Sequence, residues 1–181
     1  TSAPLTGSPY GSLQIGADST AYQITETYDP LTVSTAYHLT SVTPTGTTTT
    51  NQLTGTPNGG LQIAPDGTAY QGGFTSDGTY HVTTIPPTGN ATSAALIGTP
   101  SGDPQIAANG IAHQVLYADD PTTGVGSFHI ATITPTGTAA TTISGVIGGT
   151  LNGELGTLTI NNTSASGMAL PSTNALARSE E

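Results

Sequence analysis

Residues 53–71 read LTGTPNGGLQIAPDGTAYQ, and the phrase occurs twice more, as LTGSPYGSLQIGADSTAYQ at 5–23 and LIGTPSGDPQIAANGIAHQ at 96–114. Each copy runs on to an aromatic–His segment that closes in Pro-Thr-Gly: AYHLTSVTPTG at 36–46, TYHVTTIPPTG at 79–89 and SFHIATITPTG at 127–137. The leading Leu precedes a first Gln (Gln14, Gln62, Gln105) by nine residues, and a second Gln (Gln23, Gln71, Gln114) follows nine later. From His38, His81 and His129 to the next proline is six residues in every copy. Only the interval from the second Gln to the His varies, at 15, 10 and 15 residues, as a surface loop between fixed blocks does. An internal repeat, with periods of 48 and then 43 residues, therefore organises the chain.

Each unit reads as four short strands. The first is Leu-Gln-Ile (Leu61 to Ile63), followed by a turn of Asp-Ser, Asp-Gly or Asn-Gly, of which Asp-Gly and Asn-Gly predict a two-residue type I′ hairpin. The second is Thr-Ala-Tyr-Gln (Thr68 to Gln71), leading to the variable loop. The third is Tyr80 to Ile85, closed by Pro-Thr-Gly, and the fourth is the Thr- and Ala-rich stretch before the next Leu. Four antiparallel strands repeated about every 45 residues are the sequence form of a β-propeller blade, whereas a β-sandwich needs about 100 residues. The expected fold is all-β, a β-propeller-like array of four-stranded antiparallel blades with three recognisable repeats and a degenerate fourth. The repeats fall at about 5–52, 53–95 and 96–145, with a partial one at 146–160, so 1–160 reads as one domain. Residues 161–181 read as a polar tail, expected to be flexible. Three blades do not close a ring, since about four is the lower limit. A longer propeller, a ring completed by a second chain and an open variant all remain compatible with the repeat.

The composition excludes several classes. The chain has 181 residues and 37 threonines but no lysine or cysteine, and Arg178 is its one basic residue. Eleven acidic residues bring the net charge to −10, although charged residues make up only 7% against about 25% in an ordinary domain. One cation cannot neutralise phosphates, so nucleic acid and a polybasic membrane anchor are excluded as partners. No apolar run approaches the length of a membrane span, so no membrane insertion is expected. Without cysteine there is neither a disulfide framework nor a thiolate metal site.

The block Gly-x-Pro-x-Gly-x-Leu-Gln-Ile-x-x-Asp-Gly-Thr-Ala-Tyr-Gln, with Thr-Pro-Thr-Gly ending the unit, resembles repeats of large exported mycobacterial proteins. The resemblance covers about residues 5–148. It implies a propeller-like fold and a secreted or cell-envelope location, and it brings no catalytic residues and no cofactor.

Candidate chemistry is sparse. Asp18, Asp66, Asp29, Asp77, Asp119 and Asp120 all fall at turns, where a carboxylate caps backbone amides. The adjacent Asp119 and Asp120 are a weak candidate for surface calcium. His38, His81 and His129 share one repeat position and are weak metal candidates; a repeated packing contact to a carbonyl or hydroxyl is the plainer reading. His113 stands where the other copies have Tyr22 and Tyr70. Gln14, Gln62 and Gln105 occupy the strand that would line a central channel, where a ring of amides could bind a polar ligand such as a sugar. They could equally satisfy backbone groups between blades. No nucleophile motif is present, and no cofactor is implied. The function these features fit is a non-enzymatic, exported recognition or scaffold module for a protein or glycan, and a homo-oligomer could complete the ring. The alternatives are an accessory or catalytic domain of a larger secreted hydrolase, and a fibre-forming repeat protein.

Overall fold

A computed structural model describes residues 5–119 and 126–145. The degenerate fourth repeat, the polar tail and Arg178 lie outside them. The described chain is all-β and antiparallel, without a helix. The first sheet is a meander of β1 (Ser8–Ile15), β2 (Ala21–Asp29), β3 (Ser34–Val42) and β4 (Thr48–Gln52), in the order β1-β2-β3-β4. The second holds β5 (Thr56–Pro57), β6 (Gln62–Ile63), β7 (Ala69–Phe74), β8 (Tyr80–Ile85) and β9 (Thr92–Leu96). Here β5 and β6 both pair with β7, so they are two halves of one interrupted strand. The third repeats this with β10 (Thr99–Pro100), β11 (Gln105–Ile106), β12 (Ala112–Asp119), β13 (Gly126–Ile133) and β14 (Ala139–Gly145). In the first sheet the interruption is a register shift between Tyr10 and Gln14.

The first strand of each unit is therefore longer than Leu-Gln-Ile. It begins in the Gly-x-Pro phrase and breaks at the Gly that follows. The second strand also extends beyond Thr68 to Gln71 as far as Phe74, whereas β8 coincides with Tyr80–Ile85.

The predicted type I′ hairpins are replaced by another turn. The Gly67 amide bonds Ala64 O at 2.9 Å and the Ala64 amide bonds Thr68 O at 2.8 Å, so three residues bridge the strands. Only the last takes the left-handed conformation: φ is 85° at Gly67, 80° at Gly110 and 66° at Ser19. Asp18, Asp66 and Asn109 keep negative φ, which makes this a type I turn followed by a left-handed residue. The side-chain oxygen accounts for the choice. Asp18, Asp66 and Asn109 accept the amide two residues on, at 3.0, 2.9 and 3.2 Å, which fixes the turn from inside.

The apolar core lies between the sheets. Tyr22, Ile24 and Leu39 of the first sheet, with Leu53 at the end of β4, pack against Ala69, Ile85, Leu61 and Ile63 of the second. Tyr70, Tyr80, Val82 and Leu96 of the second pack against Ala112, Leu116, Ala131 and Ile133 of the third. Strand alternation produces this two-sidedness, since Ala69 and Tyr70 are neighbours yet serve opposite interfaces. Each interface carries a buried tyrosine–carbonyl bond: Tyr22 donates its hydroxyl to Gly67 O at 3.0 Å, and Tyr70 to Gly110 O at 2.7 Å. A hydroxyl of one unit thus meets the left-handed turn of the next.

Removing a hydroxyl from such a pair strands a buried carbonyl, so Tyr22→Phe and Tyr70→Phe should each destabilise by about 1–2 kcal/mol. Urea denaturation of each variant checks this, with unchanged slope and lowered midpoint as the expected outcome.

Candidate functional site

The two glutamines of each unit have different surroundings. Gln23, Gln71 and Gln114, on the second strands, are buried. Gln71 donates through Nε2 to Gly72 O at 2.8 Å, Asn58 O at 3.3 Å and Gly59 O at 3.4 Å. Gln23 does the same with Ile24 O, Tyr10 O and Gly11 O, and Gln114 with Val115 O and Gly102 O. The break in each first strand turns carbonyls away from the ladder, and this amide receives them. At the second interface the network reaches the neighbouring sheet, because Tyr80 donates to Gln114 Oε1 at 3.1 Å. Burial, with the nearby Asp103 charge second, pushes the Tyr80 hydroxyl up to about 12.

Gln14 and Gln105 are exposed and Gln62 half-buried. Gln105 Nε2 donates to Asp103 O at 3.2 Å and Gln62 Nε2 to Gly60 O at 3.5 Å, both short-range contacts. The first strands of the second and third units approach one another, with β6 beside β11. Gln14 lines a cleft of about 180 Å³ with Tyr10, Ser12, Gly59, Gly60 and Leu61. A second cleft, of about 70 Å³, lies under Asp18, Thr20, Ser41, Thr43 and Pro87. Both fall below the roughly 300–1,000 Å³ of a drug-sized ligand pocket.

Asp103 is a residue that motif reading passes over. Its carboxylate accepts the Gly60 amide of the preceding unit at 3.0 Å. A Cβ at Gly59 would collide with that carboxylate, so the Gly-Gly pair makes room for the contact. The legible signal was position: Asp103 takes the place of Gly60 and Ser12 in the other copies.

His38, His81 and His129 stay apart, each on its own sheet. His81 Nδ1 lies 3.3 Å from Ser93 Oγ, and His129 Nε2 lies 2.7 Å from Ser127 Oγ. His38 Nδ1 is buried and without a hydrogen-bond partner among the described residues. Among the described residues no three His, Cys, Asp or Glu side chains gather as a metal site would require. Asp119 hydrogen-bonds the Tyr117 hydroxyl and raises its pKa, and Asp120 lies outside the described residues.

The turn carboxylates are held by neutral donors. Asp77 is lowered to about 2, chiefly by the Thr75 hydroxyl and then by the Thr79 amide. The Thr20 amide and then its hydroxyl lower Asp18. The Thr32 hydroxyl and then the Leu31 amide lower Asp29.

Asp29 ends β2 and leads into the loop joining it to β3, where apolar side chains are exposed. Tyr28 is 63% exposed, Leu31 92% and Val33 75%. The Asp29 carboxylate accepts the Leu31 amide at 2.9 Å and the Thr32 hydroxyl at 2.7 Å, which orders the tip. Val33 has φ 52°, a left-handed conformation that a β-branched residue takes only under constraint.

Comparison with known proteins adds little. No family model matches the chain, and no curated protein matches it. It is similar to a crystal structure provisionally named a gluconolactonase, at 17% identity and a TM-score of 0.39. The match covers 74% of this chain and 46% of that one, so the chain spans about half the length of the structure it resembles.

Two outcomes follow from the site. A carboxylate whose folded pKa lies below its unfolded value contributes stability present above about pH 4, lost as pH falls through the folded value. The melting temperature should therefore fall between about pH 4 and pH 2, and Asp77→Asn should flatten part of that fall in a calorimetric pH series. Gln114→Met, close in volume but unable to donate, should cost about 1–3 kcal/mol in denaturant titration, because Gly102 O and the Tyr80 hydroxyl lose their partner.

Proposed function

We propose that this chain is a non-enzymatic recognition module, built of propeller-type blades, that presents the β2–β3 loop of its first unit to a protein partner. Support for the blades comes from the repeated four-stranded meander, the face-to-face apolar contact between units and the side-by-side first strands. The secreted or cell-envelope location rests on the sequence resemblance alone.

The loop carries the functional reading. Exposing Leu31 and Val33 forgoes about 1.5–3 kcal/mol of burial for each, and holding Val33 left-handed costs about a further 1–2 kcal/mol. Apolar residues fixed outward at such a cost fit a pocket on another protein better than a glycan, whose hydroxyls would be left facing leucine and valine.

Arrays of peptides and of glycans probed with the purified chain test the reading. Retention on apolar peptides should fall at least about tenfold in Leu31→Asp, a loss of roughly 1.4 kcal/mol or more. Val33→Gly should weaken the same binding while holding or raising the melting temperature, because it relieves the left-handed strain. Glycan binding indifferent to both substitutions, or hydrolysis by the chain abolished by one point substitution, would overturn the proposal.

A further inference from the structure

We propose that Asn58 is a site of covalent self-modification: the backbone nitrogen of Gly59 attacks its side-chain amide, and the product loosens the contact between the second and third units. The chemistry needs an amide side chain followed by a residue with no Cβ to hinder the attack, which an Asn-Gly pair supplies. The chain has three such pairs, Asn58-Gly59, Asn109-Gly110 and Asn152-Gly153, the last outside the described residues. In the reaction the Gly59 nitrogen bonds to Asn58 Cγ, the Cγ–Nδ2 bond breaks, and ammonia leaves with the proton from the Gly59 nitrogen. Water then opens the resulting ring at either carbonyl. One opening leaves an aspartate at position 58. The other leaves an isoaspartate, whose main chain runs through the side chain and is one methylene longer.

The two described pairs are held differently. Asn109 sits in the turn before β12, where its Oδ1 accepts the Ile111 amide at 3.2 Å and the Gly110 amide donates to Ala107 O at 2.9 Å. Gly110 is buried, and its carbonyl accepts the Tyr70 hydroxyl. Both reacting groups are engaged there: the nitrogen keeps its proton in a hydrogen bond, and the side chain is tied to the turn. Asn58 and Gly59, by contrast, lie exposed in the break between β5 and β6. The Asn58 main chain is fixed, its amide donating to Gly72 O at 2.8 Å and its carbonyl accepting Gln71 Nε2 at 3.3 Å. Neither its side chain nor the Gly59 amide has a hydrogen-bond partner among the described residues. The attacking nitrogen and the amide it attacks are therefore both free, on neighbouring residues beside an anchored stretch of backbone.

What the reaction changes is the seam between two units. Gly59 lies against the Asp103 carboxylate of the third unit, and the next amide, that of Gly60, donates to this carboxylate at 3.0 Å. An aspartate at position 58 adds a second negative charge close to Asp103, without a cation to offset it among the described residues. An isoaspartate lengthens the main chain immediately before Gly59, where the fit to Asp103 leaves no room for even a Cβ. The Asn58 and Gly59 carbonyls also accept Gln71 Nε2, so the displacement reaches a buried side chain. Tyr10 and Ser101 stand at this place in the other units, and the second unit alone carries an amide here.

Ageing the full chain in neutral buffer, with peptide mapping by mass spectrometry at intervals, tests this. The Asn58 peptide should gain the mass of an amide-to-acid conversion and separate into aspartate and isoaspartate forms. It should do so at least about tenfold faster than the Asn109 peptide. In urea, where the fold no longer holds either pair, the two should convert at similar rates. Asn58→Gln alters an exposed side chain without a partner, so the variant should fold as the wild type does while conversion at position 58 stops. Over the same interval the melting temperature should fall further for the wild type than for Asn58→Gln, since conversion elsewhere is common to both. Asn109 converting as fast as Asn58 in the folded chain would overturn the proposal, as would an Asn58 that survives folded while the unfolded chain converts. A rate difference that persists in urea would do the same by assigning it to local sequence. Equal melting of the aged wild type and the aged Asn58→Gln variant would overturn the loosening of the seam.

Discussion

Contact between the apolar faces of successive sheets is what the rest of this structure depends on. A four-stranded sheet of this length has two faces and too few large side chains to be stable alone. Its residues become core only when a neighbour covers them, as Leu39 is covered by the second unit and Val82 by the third. Burying a Leu, Ile or Val side chain contributes about 1.5–3 kcal/mol, whereas a hydrogen bond nets about 1. The apolar contact thus supplies most of the cohesion, and the tyrosine–carbonyl bond sets the register in which two sheets meet.

Polar groups inside the sheets follow from the same constraint. Interrupting the first strand brings it close to its neighbour and frees carbonyls that the ladder no longer uses. The second-strand glutamine donates to them in all three units, Gln23 to Tyr10 O and Gly11 O, Gln71 to Asn58 O and Gly59 O, and Gln114 to Gly102 O. Threonine also takes up buried strand positions, pairing across strands where Thr40 Oγ1 meets Thr50 Oγ1 at 3.0 Å. The Thr83 hydroxyl in turn accepts the Thr54 amide at 3.2 Å. A chain so rich in threonine suits these sheets because the β-branched side chain favours strand backbone and its methyl group packs.

Periodicity made the strand types and the repeat legible, because each strand alternates toward two interfaces and every unit reuses one pattern. The split first strand was not legible. Thr56–Pro57 sits between Gly55 and Gly59-Gly60, and those glycines read locally as loop although the backbone still pairs with Gly73 and Phe74. The hairpin type was misread for a related reason: Asp-Gly supports both a two-residue and a three-residue turn, and the closing pair, Ala64 with Thr68, decides between them. Of the candidate site, the glutamine positions were legible as a repeated polar feature, with the buried role falling to the second Gln of each unit. Asp103 and Val33 escaped, one because it works across units, the other because a β-branched residue is the last expected at positive φ.

The turn carboxylates have a consequence for solution behaviour. Asp18, Asp29 and Asp77 are satisfied by amides and hydroxyls, and no lysine or arginine lies among the described residues. In most proteins added electrolyte both screens repulsion and weakens ion pairs, so the two effects offset each other. Here, within the described sheets, there are no lysine or arginine ion pairs to weaken, while a net charge of −10 remains to be screened. Increasing ionic strength therefore acts in one direction on this fold: it relieves repulsion among carboxylates.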